Sequence, residues 1–357
     1  MLELIAIAVA LLGTGLAALQ DWKTSFIDEK ITYSMIQAGF LLTIMQVLNA
    51  SIELLVVSTI ILVTVNYFFF KWHSNFTPQP RHVALLVVFL LTIPYILKLT
   101  EAFGSSANYG LLALSFNGAG IIFGIGWLLY KTGKLGGGDV LLYTGIQLLL
   151  PVKPHALDFL LLPQILSPAK LFQWQFLSDI GLPFFLGIFL LSTMLALLGS
   201  TIGYAWRLRK LKLKPDLLAA GLGVVAVAGF AYVMAVMGAS PAATAFYGVF
   251  LLPSALLLAF RKQIMDEIIV QKIGISQIED EDILVVEKLP AKIVAKYKLG
   301  PVLTKAEVEK LKLVAKNEKI TKFPIARVLP RLGPYVFLAV LAGVLGLDLF
   351  TIVLAIS

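Results

Sequence analysis

The chain has 357 residues, 59% of them hydrophobic and 14% charged, with a mean hydropathy of +0.90 and a net charge of +8. Soluble globular domains hold about 45–50% apolar and about 25% charged residues, so disordered, fibrous and ordinary water-soluble proteins are excluded. The apolar excess is more than a core of this size can bury, which makes this an integral membrane protein whose partner is the lipid bilayer.

A spanning helix needs about 20 mostly apolar residues to cross a hydrocarbon layer of roughly 30 Å. By that measure the sequence predicts an all-α polytopic protein with about ten transmembrane helices. They lie near 2–20, 31–49, 52–70, 83–100, 109–130, 139–151, 182–206, 217–238, 242–260 and 335–356. The sixth is ambiguous. Pro151 and Pro154 follow soon after Asp139, so it is short, kinked or continued into 156–163. The first carries Glu3, lacks a basic start and runs into Gln20-Asp21-Trp22-Lys23, so it reads as a permanent helix and not a cleaved signal.

Lys and Arg gather in loops that stay in the cytoplasm, and their placement orients the chain. With residues 21–30 inside, the inner loops carry Lys23, Lys30, Lys71, Arg81, Lys131 and Lys134. They also carry the cluster Arg207, Arg209, Lys210, Lys212 and Lys214, whereas the outer loops hold Lys98, Lys153 and Lys170. The N-terminus is then outside, and the basic balance gives no reason to invoke nucleic acid.

Three parts follow: a transmembrane core over 1–260, a cytoplasmic domain over 261–334 and a last helix over 335–357. The domain contains the acidic run Glu279-Asp280-Glu281-Asp282, which lacks the glycine and terminal glutamate of a calcium loop. Thr304-Lys305-Ala306-Glu307 is a capping box, and Val308, Leu311 and Ala315 share one face of the helix behind it. Pro324, Pro330 and Pro334 break the chain before the last span. A small α-rich or α+β domain is expected there.

The chain has no cysteine, and His73, His82 and His155 are scattered without metal-ligand spacing, so no metal and no cofactor is expected. Ser167-Pro168-Ala169-Lys170 matches a hydrolase spacing by chance, and Gly120 and Gly124 mark close helix packing. Asp348, inside the last span, reads as a hydrogen-bonded structural group.

Ionisable residues at membrane helices are functional candidates by default. Asp21 ends the first helix, and Asp139 follows Gly136-Gly137-Gly138 and opens the sixth. An even number of spans separates them, so both reach the same membrane face. Two carboxyls that close cannot both ionise, so one takes a proton from water while the other donates to the carbonyl that the water attacks. Glycines before an aspartate permit φ > 0 and let a substrate backbone approach closely.

Gly136-Gly137-Gly138-Asp139 resembles the Gly-x-Gly-Asp motif of the GxGD membrane aspartyl proteases. Asp21-Trp22-Lys23 is similar to the Asp-x-Lys pattern of the archaeal preflagellin and type IV prepilin peptidases. The resemblance implies that Asp21 and Asp139 are catalytic, with the glycines and Lys23 as supporting motif residues. It further implies cleavage of a short basic signal peptide from pilin or archaellin precursors at the cytoplasmic face. Leu303-Thr304, Lys310-Leu311 and Phe323-Pro324 resemble the C-terminal region of some archaeal members. The chain departs from the family where Phe26-Ile27-Asp28 replaces the usual proline after the first aspartate.

Asp28 and Glu29 are candidates for contacting the basic residues of such a peptide, the alternative being solvated loop acids. Tyr143, one turn after Asp139, either hydrogen-bonds that carboxyl or packs as an aromatic. An intramembrane protease of the presenilin or signal-peptide-peptidase type is the second reading. There Tyr-Asp is expected where this chain has Gln20-Asp21, and Pro253-Ser254-Ala255-Leu256 only approaches the companion motif. A transporter or scaffold ranks third, because its acids would lie nearer the bilayer centre. The sequence leaves the oligomeric state open.

Overall fold

The computed structural model describes residues 1–48, 80–101, 108–154, 184–212, 214–238, 240–279, 282–327, 330–347, 349 and 352. The expected span 52–70, the Ser167–Lys170 spacing, His73, His155, Asp280, Glu281 and Asp348 lie outside them. The chain is mostly helical, and two compact units divide it. The first comprises 1–128, 136–193 and 331–356; the second comprises 129–135 and 194–330.

The first unit starts with α1, Leu2–Thr24, and α2, Glu29–Val47. Its other helices are α3, Pro80–Leu99, α4, Tyr109–Lys131, and α5, Gly137–Leu149. Next comes α6, Phe184–Leu208, which begins here and ends in the second unit.

Small residues decide how these helices meet. On α1 the buried face runs Ala6, Ala10, Gly13, Thr14, Ala17, Ala18 and Asp21, at helical spacing. A Cβ on Gly13 would come 2.5 Å from the Met35 side chain, and one on Gly39 would come 2.7 Å from Leu148 Cβ. So α2 lies close against both α1 and α5. Thr43 Oγ1 donates to the Leu148 carbonyl at 2.8 Å and pairs with Ser115 Oγ at 3.1 Å, tying α2, α4 and α5 at a buried point. Gly120 on α4 faces Leu90 and Gly124 faces Val87, so this glycine spacing does mark the α3–α4 contact.

Helix α5 is buried at every residue from Leu142 to Leu149. A helix apolar all round belongs inside a protein, and this one is the centre of its unit. At 13 residues, and with a rise of about 1.5 Å each, it is too short to cross a bilayer alone.

The second unit takes the end of α6, then α7, Leu217–Val236, and α8, Pro241–Ala259. Beyond them lies an α+β fold with an antiparallel three-stranded sheet of order β1-β3-β2. Strand β1 is Val270–Gly274 and β2 is Ile283–Leu284; two helices follow, α9, Ala291–Tyr297, and α10, Lys305–Glu318. Strand β3, Lys322–Ala326, completes the sheet. The capping box at Thr304 and Glu307 is formed, and Leu284, Leu303, Leu311, Val314, Phe323 and Ile325 make the core.

Pro324 does not break the chain there; it sits inside β3. Its carbonyl accepts from Val285 N at 2.9 Å, and a residue's two backbone groups leave a strand on the same side. The missing donor therefore faces the short β2 edge, where a proline is tolerated. Gly133, with φ 69°, lies against Pro301 and Ile283 and belongs to this unit.

Among the described residues, six helices are long and apolar enough to span a bilayer: Leu2–Thr24, His82–Leu99, Tyr109–Lys131, Phe184–Leu208, Leu217–Val236 and Pro241–Ala259. They mark a multi-pass membrane protein. Helix α11, Gly333–Val344, begins the expected span 335–356, and Gly346 at φ 85° follows its end. Helix α11 packs on α1.

Candidate active site

Asp21 lies in the last turn of α1, at the end of the small-residue face, and is 6% exposed. The turn closes with Ser25 in the left-handed region, φ 59°, its amide donating to the Asp21 carbonyl at 2.8 Å. The carboxyl itself receives a different donor. Gly333 N, at the first position of α11, donates to Asp21 Oδ2 at 2.8 Å. Free amides and the helix dipole make such an N-terminus a natural seat for a carboxylate.

The absence of a side chain at Gly333 makes room for this contact. A Cβ there would stand 3.0 Å from both Cβ and Oδ2 of Asp21. Arg331, two residues earlier, donates through Nε to Ser25 Oγ at 3.0 Å and through Nη1 to the Trp22 carbonyl. Its guanidinium lies over the Trp22 ring at 5.7 Å, and its charge acts on Asp21. One arginine thus fastens the end of α1 to the start of α11.

Asp139 occupies the first turn of α5, where Gly136 is the N-cap. The Asp139 carboxyl folds back toward Gly136, so far that a Cβ there would meet Oδ2 at 2.8 Å. Gly138 serves a second approach: a Cβ there would come 2.9 Å from Ile27 Cβ and 3.1 Å from its carbonyl oxygen. The expected φ > 0 is not found at the triplet. Gly136 is extended at φ −70°, Gly137 and Gly138 already belong to the helix, and the left-handed glycine nearby is Gly133. The triplet provides room for close contact, not an unusual turn.

Helices α1 and α5 pack against each other, and they bring the two carboxyls near enough for the charge of one to bear on the other. Each carboxyl stands at the start of a helix, Asp21 bonded to the first amide of α11 and Asp139 placed in the first turn of α5.

Other expected site residues lie elsewhere in role. Asp28 caps α2, accepting from Lys30 N at 2.9 Å, while its own amide donates to Gln20 Oε1 at 2.9 Å. Glu29 is exposed in the first turn of that helix, and Lys23 is exposed in the last turn of α1. The Tyr143 hydroxyl pairs with Ser192 Oγ at 2.7 Å and not with Asp139, and its ring meets Phe185 and Phe189 edge-on. Tyr143 is a buried packing residue. Among the described residues no group of three His, Asp or Glu could hold a metal ion.

An open apolar groove of about 710 Å³ runs between α1 and α11, reaching Trp22, the residue after Asp21. Leu11, Leu12, Gly15, Leu16, Leu19, Trp22, Pro334, Phe337 and Leu338 line it. Arg331 and Gly333 were missing from the sequence-derived site. Their signal was Arg331-Leu332-Gly333-Pro334, a lone cation and a Gly-Pro pair opening an apolar helix. Comparison with protein-family models, with curated proteins and with solved structures gives no match for this chain.

Proposed function

We propose that the chain is a membrane aspartyl endopeptidase of the prepilin-peptidase type. It acts on pilin-like or archaellin-like precursors, removing a short basic signal peptide at the cytoplasmic face. The observation that supports this reading is that α1, ending at Asp21, packs on α5, which begins at Asp139. Two carboxyls sharing a proton divide the work: one draws a proton from water, and the other donates to the scissile carbonyl oxygen. The tetrahedral intermediate then collapses as the leaving amine is protonated. No cofactor enters these steps.

In this reading the N-terminus is outside and residues 261–334 lie in the cytoplasm. The groove between α1 and α11 would carry the apolar helix that follows the signal peptide, with the peptide bond ahead of it at Asp21. Asp21→Asn and Asp139→Asn are each expected to abolish cleavage of a precursor while insertion and thermal unfolding stay unchanged. Cleavage retained in either variant removes that residue from the mechanism.

The same groove also suits an intramembrane protease of the presenilin type, because it extends along α1 as far as Leu11. Mass spectrometry of the products separates the two. A cut ahead of the apolar helix favours the peptidase reading, and a cut several residues within it favours the other.

A further inference from the structure

The second unit carries a concentration of positive charge that the proposed reaction does not use. Arg207, Arg209, Lys210, Lys212, Lys214, Arg261 and Lys262 are all exposed, where α6 ends, α7 begins and α8 ends. None forms an ion pair with a described residue. The neighbouring acids are engaged: Asp216 caps α7 through Leu218 N and Ala219 N, and Asp266 pairs with Lys288. Glu267 Oε2 accepts from Gln263 Nε2.

A buried polar side chain holds this cluster in shape. Gln263 is 5% exposed; its Nε2 donates to the Lys212 carbonyl at 2.9 Å, and its Oε1 accepts from Lys214 N at 3.1 Å. Asp216 N donates to the Ala259 carbonyl at 2.8 Å, joining the start of α7 to the end of α8. The cations therefore ride on a fixed backbone. Trp206 stands among them, exposed, with Arg209 and Lys210 over its ring at 5.0 and 4.8 Å.

Directly beside the charges the surface becomes apolar. Ile202 precedes them on α6, and Leu217 and Leu218 open α7, all strongly exposed. Cations and an interfacial tryptophan next to exposed leucines match a molecule with an anionic head and hydrocarbon tails. A free phosphate would use only half of this surface.

We infer that the Arg207–Lys214 loop, together with Arg261, Lys262 and Trp206, is a binding site for anionic phospholipid headgroups. Their acyl chains run along Ile202, Leu217 and Leu218. The site stands independently of the proteolytic reading.

Full-length protein in nanodiscs provides the test. Phosphatidylglycerol or phosphatidylcholine, spin-labelled near the headgroup, is added at equal mole fraction, and Trp206 fluorescence is isolated by subtracting Trp206→Phe. The phosphatidylglycerol probe is expected to quench Trp206 more strongly. Combined Arg209→Gln, Lys210→Gln, Lys212→Gln and Lys214→Gln should reduce that preference at least about tenfold, given the attraction each cation exerts near an anionic surface. High salt on the unaltered protein should erase it as well, which keeps the test decisive if the fourfold variant fails to fold.

Equal quenching by the two lipids overturns the inference. So does a preference that survives both charge removal and salt. Inorganic phosphate abolishing the preference where sodium chloride of equal ionic strength leaves it intact would assign the cluster to a free anion, and an RNA oligonucleotide displacing the lipid would assign it to nucleic acid.

Discussion

Gly333 N and Asp21 Oδ2 are 2.8 Å apart in space and 312 positions apart in sequence. The glycine leaves space that any side chain would fill, and Asp21 fills it with its carboxyl. The candidate site is thus as much a product of the last described helix as of the first.

Under the proposed function, Gly333→Ala is expected to slow cleavage by less than the roughly 100-fold that a misplacement of about 1 Å can cost, because Asp21 has to give way by only a fraction of that. The added methyl would push on Asp21 Cβ, and the overpacking itself would cost about 1–3 kcal/mol. A cleavage assay beside a thermal melt separates the two effects. Wild-type turnover in this variant would show that the amide contact is dispensable.

Arg331→Gln removes the bonds to Ser25 and the Trp22 carbonyl along with the charge near Asp21. Cleavage should fall about tenfold or more, and Arg331→Lys should rescue it only partly, since a lysine cannot reproduce a forked guanidinium contact. Steady-state kinetics on both variants decides this. Full rescue by lysine would mean that charge alone matters.

Thr43→Val keeps the shape of a buried helix contact but removes its hydroxyl. The Leu148 carbonyl and Ser115 each lose a partner, so the first unit should lose about 1–3 kcal/mol of stability. Thermal unfolding in detergent, followed by tryptophan fluorescence, measures the drop. An unchanged melting temperature would show that these groups find other partners.

Glu318 accepts from Lys296 Nζ at 2.7 Å and from the Tyr297 hydroxyl at 3.2 Å, and these bonds hold its carboxyl below the usual range. A lowered folded-state value means that the ionised form favours folding. The contribution is complete above the ordinary glutamate range and fades as pH falls through the lowered folded value. Glu318→Gln should flatten the acid limb of unfolding for the second unit, by a small amount because the pair is exposed. Chemical denaturation across acidic pH, followed at Tyr297, detects it.

Much of this arrangement was legible in the sequence because it depends on local chemistry. The capping box at Thr304 and Glu307 announces α10 by residue type and spacing alone, and apolar length places α1, α4, α6, α7 and α8. Asp21 and Asp139 stood out because ionised groups at the ends of apolar helices are rare. What stayed hidden depends on long-range contact. Nothing local in Arg331 or Gly333 reveals that α11 returns to the end of α1. Nor does the glycine triplet disclose that its room is taken by Ile27 and by the Asp139 carboxyl. Pro324 reads as a breaker until β2 proves too short to need its amide.

A ribosome makes Gly333 312 residues after Asp21. Until α11 has entered the membrane, the Asp21 carboxyl lacks its amide donor, and the end of α1 lacks the arginine that fastens it. A nascent chain therefore carries both aspartates long before the Asp21 carboxyl has the partner that holds it. The order of synthesis itself makes the candidate site one of the later features of the first unit to be completed.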